Sequence, residues 1–176
     1  MNIQFEISEE ERVKAKKPHD LFLLNLIGNH ILVFVATLGM ASSWAWPMLF
    51  VPIISLIILT TIFVKGKKSR SSESWFVMCH WQLALKRSIF FIILITFFAC
   101  FAAFGVYGYT QLGWMKEAVY ALVGGTSILP IMVTTLVLIL MESDAMHQAA
   151  LGKLPQKIVD LYPQPDAGKV KDKDLT

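Results

Sequence analysis

The chain has 176 residues, 55% of them hydrophobic, with a mean hydropathy of +0.57 and a formal net charge of +3. That apolar content excludes an ordinary water-soluble domain, and so small a positive charge calls for no nucleic-acid partner. The two cysteines, Cys79 and Cys100, lack metal-type spacing and fall at different expected depths, which excludes a disulfide framework.

Residues 1–20, "MNIQFEISEEERVKAKKPHD", are acidic and then basic with no apolar core, so they read as a cytoplasmic segment and not as a signal peptide. Ser8 followed by Glu11 predicts a capping box for a short helix that Pro18 ends. Glu10 and Lys14 make an i,i+4 pair on it, and Asp20 is then expected to cap the first membrane span.

Four apolar runs follow: Leu21 to Ser43, Pro47 to Val64, Ser88 to Thr110 and Val119 to Met141. A helix needs roughly 17 to 25 residues to cross about 30 Å of hydrocarbon, and each run fits. Lipid leaves no backbone group unpaired, and the runs do not alternate as barrel strands would, so the spans are predicted as helices. The expected fold is all-α: a polytopic membrane protein with four transmembrane helices in two hairpins, residues 21–64 and 88–141. They are separated by a basic, aromatic cytoplasmic loop at 65–87 and followed by a cytoplasmic C-terminal helix and mobile tail at 142–176.

Orientation comes from lysine and arginine. Fifteen of the sixteen lie before the first run, between the second and third, or after the fourth; Lys116 is the exception. The basic side is cytoplasmic, which predicts an N-in, C-in protein of the cell inner membrane, most simply a bacterial one. Trp44, Trp46 and Trp114 then occupy the outer aromatic belt.

In the first run, at about 100° per residue, Asn25, Gly28, Asn29, Leu32, Ala36, Gly39 and Ser43 share one stripe. Small and amide residues on one face predict a close helix contact, and Gly28→Leu is expected to do more damage than either single Asn→Leu. His30 lies to one side of that stripe and is a functional candidate, either a packing residue or a ligand. Ahead of the third run, "SESWFVMCHWQLALKRS" carries Trp75, Phe76 and Trp81 before the snorkelling pair Lys86 and Arg87. These five form an expected interaction surface for another protein segment or for the chain's own C-terminal helix. His80, within it, is the second functional candidate.

In the fourth run "GGTSILP" places Gly124 and Gly125 ahead of Pro130, expected as a close-packed and kinked helix, with a broken helix lining a substrate path as the sharper alternative. No Asp, Glu, Lys or Arg falls inside any of the four runs, so proton relays and ion pathways are not expected there. His30 has no second histidine at its depth, which disfavours bis-histidine haem. No catalytic, cofactor-binding or metal-ligating set is predicted. The expected function is an accessory or structural subunit of an inner-membrane complex, not an enzyme, whose partners are the bilayer and other membrane proteins or further copies of itself. The alternatives are a small oligomeric transporter or channel, and a cytoplasmic-face enzyme using Cys79, His80 or His147.

Overall fold

The structure, a computed structural model, describes residues 2–40, 43–44 and 46–163. The expected tail beyond residue 163 lies outside the described residues. Four helices are long and apolar enough to cross a membrane: α1 (Glu9–Met40), α2 (Trp46–Ser72), α3 (Trp75–Gln111) and α4 (Lys116–Ala150). With 86% of the structure helical, this is an all-α, multi-pass membrane protein. Two short strands, β1 (Asn2–Gln4) and β2 (Lys153–Pro155), and a last helix α5 (Gln156–Leu161) complete it. The chain divides into one unit of Met1–Lys86 with Ile139–Thr176 and another of Arg87–Leu138.

In the first unit the N- and C-terminal segments are joined. β1 and β2 pair antiparallel with Ile3 opposite Leu154, and the Phe5 amide donates to the Gly152 carbonyl at 2.9 Å. Gly152 has a φ of +69°, the left-handed conformation that closes a helix before a strand. Beneath this ribbon Phe5, Ala15, Phe76, Val77, Trp81 and Leu83 pack with Ala145, Ala149, Leu154 and Ile158 in one apolar core. Trp75 Nε1 donates to the Tyr162 carbonyl at 2.7 Å, and its ring meets Phe5 edge-on. The "WFVMCHW" segment therefore packs on the chain's own C-terminal elements.

The helix predicted to stop at Pro18 does not stop. α1 starts at the Ser8 cap, where the hydroxyl accepts from the Glu11 amide, and runs through Pro18 to Met40. Packing on both sides outweighs the one backbone bond that Pro18 removes, and Asp20, inside the helix, caps nothing. From Leu24 to Val33 α1 is a π-helix. With i→i+5 bonding each residue advances less than 100° around the axis, so the seven-residue stripe is not one face. Asn25 and Asn29 are buried, whereas Leu32, Ala36, Gly39 and Ser43 are exposed and Thr37 is buried instead.

The α1–α2 contact is made by amides. Asn25 Nδ2 donates to Ser55 Oγ at 3.2 Å, and Asn29 Nδ2 donates to the Val51 carbonyl at 2.8 Å. A Cβ on Gly28 would meet only Leu24 of the same helix, at 3.1 Å. A single Cβ at Gly28 is therefore expected to cost less than the loss of either amide. Asn29→Leu should lower unfolding stability in detergent by about 0.6 to 2 kcal/mol, with Gly28→Ala closer to neutral; equal or larger damage from Gly28→Ala would contradict the contact. The α2–α3 hairpin is closed by Gln82, which donates to the Gly66 carbonyl at 2.6 Å while its Oε1 accepts from Arg70 Nη2 at 3.0 Å.

In the second unit the turn at Gly113, φ +70°, joins α3 to α4. Small residues permit close approach there: a Cβ on Gly105 would lie 3.0 Å from Val123, and one on Gly108 would run into the Trp114 ring. α4 is continuous through Pro130, with a π-helical stretch at Gly124–Ile128 and the Thr126 hydroxyl donating to the Leu122 carbonyl. It is not a broken helix.

Candidate functional site: a buried glutamate and two histidines

Each helix of the first unit continues beyond its apolar run, and those extensions carry the polar residues. His19 follows Pro18 on α1, His80 lies between Cys79 and Trp81 on α3, and Glu142 follows Met141 on α4. All three side chains are fully buried, at 0% exposure. Their packing against one another is set by neighbours of the right size. Ala145 and Ala149, one and two turns beyond Glu142, keep α4 slim, and Phe76, one turn before His80, lays its ring against the imidazole at a centroid distance of 4.8 Å.

The three groups form a chain of hydrogen bonds. His19 Nδ1 is 2.6 Å from Glu142 Oε2, and His19 Nε2 is 2.9 Å from His80 Nδ1. The two rings are nearly perpendicular, at 89°, so the edge of one imidazole points at a nitrogen of the other. His19 thus has a different partner on each ring nitrogen. When one nitrogen donates and the other accepts, its tautomer is tied to the protonation of both neighbours.

The geometry is that of a hydrogen-bond chain and not of a coordination sphere. Two imidazoles on one tetrahedral metal at about 2.0 to 2.1 Å each keep their nitrogens roughly 3.3 Å apart, whereas these lie 2.9 Å apart. Among the described residues no group of three His, Cys, Asp or Glu side chains could hold a metal ion. Such a chain belongs to the polar groups that are costly to bury singly and acceptable only as a connected set.

Of the sequence-predicted residues, only His80 belongs to this cluster. His30 lies within the π-helical stretch of α1, where its Nδ1 is 2.9 Å from the Asn25 carbonyl. Trp75, Phe76 and Trp81 are in or against the apolar core, Lys86 is exposed with its Nζ 5.4 Å from the centre of the Tyr162 ring, and Arg87 is half-buried. Cys79 is buried and His147 exposed, so Cys79, His80 and His147 do not form a nucleophile-and-base pair open to a substrate at the surface. Among the described residues, nothing from another part of the chain lies within 4 Å of where a Cβ on Gly39, Gly124 or Gly125 would stand.

His19 and Glu142 were missed because each stands just outside an apolar run, where a charged or polar residue reads as solvated. The available signal was positional: His19, His80 and Glu142 all lie near the ends of runs on the same, basic side. No family model matches the chain, and no curated protein or solved structure is found to be similar to it.

Proposed function

We propose that this protein is an accessory or structural subunit of a bacterial inner-membrane complex, with both termini in the cytoplasm, acting through contacts between membrane helices. The observation that carries the reading is the placement of small residues on outward faces of the spans. Ala36 is exposed on α1, and a Cβ added at Gly39, Gly124 or Gly125 would have no neighbour within 4 Å from another part of the chain among the described residues. Lipid tails fill such surfaces no better than Leu would, but small residues let the backbone of a second helix come close. The fifteen-to-one basic asymmetry supports the orientation, and the large exposed apolar side chains of the spans suit lipid on the remaining faces.

Extraction in a mild detergent should yield the protein in an assembly larger than one chain. The double substitution Gly39→Leu, Gly125→Leu should release it as a monomer with unchanged unfolding stability. A wild-type chain that is monomeric in every mild detergent, with no copurifying protein, would overturn the reading. Reporters fused after Gly66 and Asp166 should behave as cytoplasmic, and insertions near Ala45 and Lys116 as external; a cytoplasmic signal at Lys116 would reverse the map.

A further inference from the structure

We infer that the outward face of α2 at the basic end of its apolar run, formed by Phe63, Val64, Lys67 and Lys68, holds an anionic phospholipid. The phosphate sits on the two ammonium groups, and an acyl chain lies along the apolar part of the same face. This goes beyond the assembly reading and stands on α2 alone.

The faces of α2 are set by burial. Ile58, Leu59, Ile62, Gly66 and Ser69 are buried, whereas Thr60, Phe63, Val64, Lys67 and Lys68 are exposed. At about 100° per residue Thr60, Val64, Lys67 and Lys68 lie in one outward stripe, with Phe63 at its edge. The stripe that meets acyl chains therefore becomes, with no change of face, a pair of cations just past the end of the apolar run at Val64.

The direction of the side chains sets the depth of the charge. Helix side chains lean toward the N-terminus, and the N-terminus of α2 is at the other end of the span. Lys67 follows that rule: its Nζ is 4.3 Å from the centre of the Phe63 ring. The ammonium is thereby drawn back about one turn, or ~5 Å, toward the hydrocarbon. A phospholipid carries its phosphate at that boundary, between its chains and the water.

The charge is not neutralised from within the chain. Residues 65–72, "KGKKSRSS", carry four cations and no acid. Arg70 is engaged by Gln82 Oε1, and among the described residues the only lysine in an ion pair is Lys14, 2.7 Å from Glu10. The orientation rule asks only for cations on this side, which the lysines of any exposed turn satisfy. A lysine laid back over a lipid-facing ring does more, because it offers its charge to the headgroup of the lipid that covers Phe63 and Val64. A soluble polyanion would first have to displace that lipid.

The test is native mass spectrometry of the full chain, released from detergent micelles containing equal amounts of phosphatidylglycerol and phosphatidylcholine with the same acyl chains. Wild type should retain phosphatidylglycerol in preference. A lysine beside an anionic surface contributes about fivefold, so the preference should fall roughly 25-fold in the double variant Lys67→Gln, Lys68→Gln. It should be kept in Lys67→Arg, Lys68→Arg, and in Lys17→Gln, Lys157→Gln, which removes two exposed cations elsewhere in the chain. No preference in wild type, an equal loss in the two glutamine double variants, or retention of inorganic phosphate in place of the lipid would overturn the site. A second measurement needs no variant. Phosphatidylglycerol with a photoreactive headgroup, in bilayers of the same two lipids, should label residues 60–71 of wild type; labelling confined to other segments would also overturn it.

Discussion

Replacing Glu142 by Ala is expected to lower the unfolding free energy in detergent by about 1 to 3 kcal/mol, the cost of leaving a buried hydrogen-bonding group without its partner. The substitution leaves His19 Nδ1 facing a cavity at 0% exposure. It also unties α4 from α1 at the end of the bundle where β1, β2 and α5 are anchored. Glu142→Gln, which keeps an acceptor of nearly the same shape opposite His19, should cost less. Denaturant unfolding of the two variants beside wild type checks the order, and equal stabilities would mean that His19 and Glu142 do not meet as described.

Gly152→Ala should be the most damaging of the conservative glycine changes outside the spans. The backbone there has a φ of +69°, and an added Cβ would lie 2.8 Å from the Phe5 carbonyl oxygen, which as backbone has little room to move. Holding alanine in that conformation costs about 1 to 3 kcal/mol, and relief by a shift of the turn would break the Phe5 to Gly152 bond that brackets the β1–β2 ribbon. Hydrogen exchange at the Phe5 amide reads this directly: protection should fall in Gly152→Ala while the amides of the spans keep theirs. Unchanged protection at Phe5 would show that the ribbon does not depend on that turn.

The spans were legible because their signal is simple. Eighteen or more apolar residues in a row in lipid leave the backbone only the helix, and the described residues of the runs lie within long helices, the first run as far as Met40. Side-chain facing within a span was legible only as far as the 3.6-residue repeat holds. Asn25 and Asn29 were rightly placed together, but the π-helical stretch from Leu24 to Val33 turns Ala36 and Gly39 away from them. No local residue announces that stretch, since Gly28 and the two asparagines fit either helix.

Pro18 misled for the opposite reason. Its local rule is strong, yet tertiary packing of a buried proline overrode it. The Glu142–His19–His80 chain was the hardest to see, because its members lie on three helices far apart in sequence, and His19 and Glu142 each stand just outside an apolar run, where they read as solvated. Burial at the ends of a helix bundle comes from neighbouring helices and not from lipid, so the edge of an apolar run does not mark the edge of the protein interior.

A double-mutant cycle on Glu142 and His19 tests most directly whether α1 and α4 are joined through a buried polar chain. The stabilities of wild type, Glu142→Ala, His19→Ala and the double variant are measured by denaturant unfolding in one detergent. Residues in direct hydrogen-bonded contact couple by about 0.5 to 3 kcal/mol, so the double variant should lose less than the two single losses added together. Losses that add to within about 0.3 kcal/mol would show two side chains that do not interact, and would contradict the site.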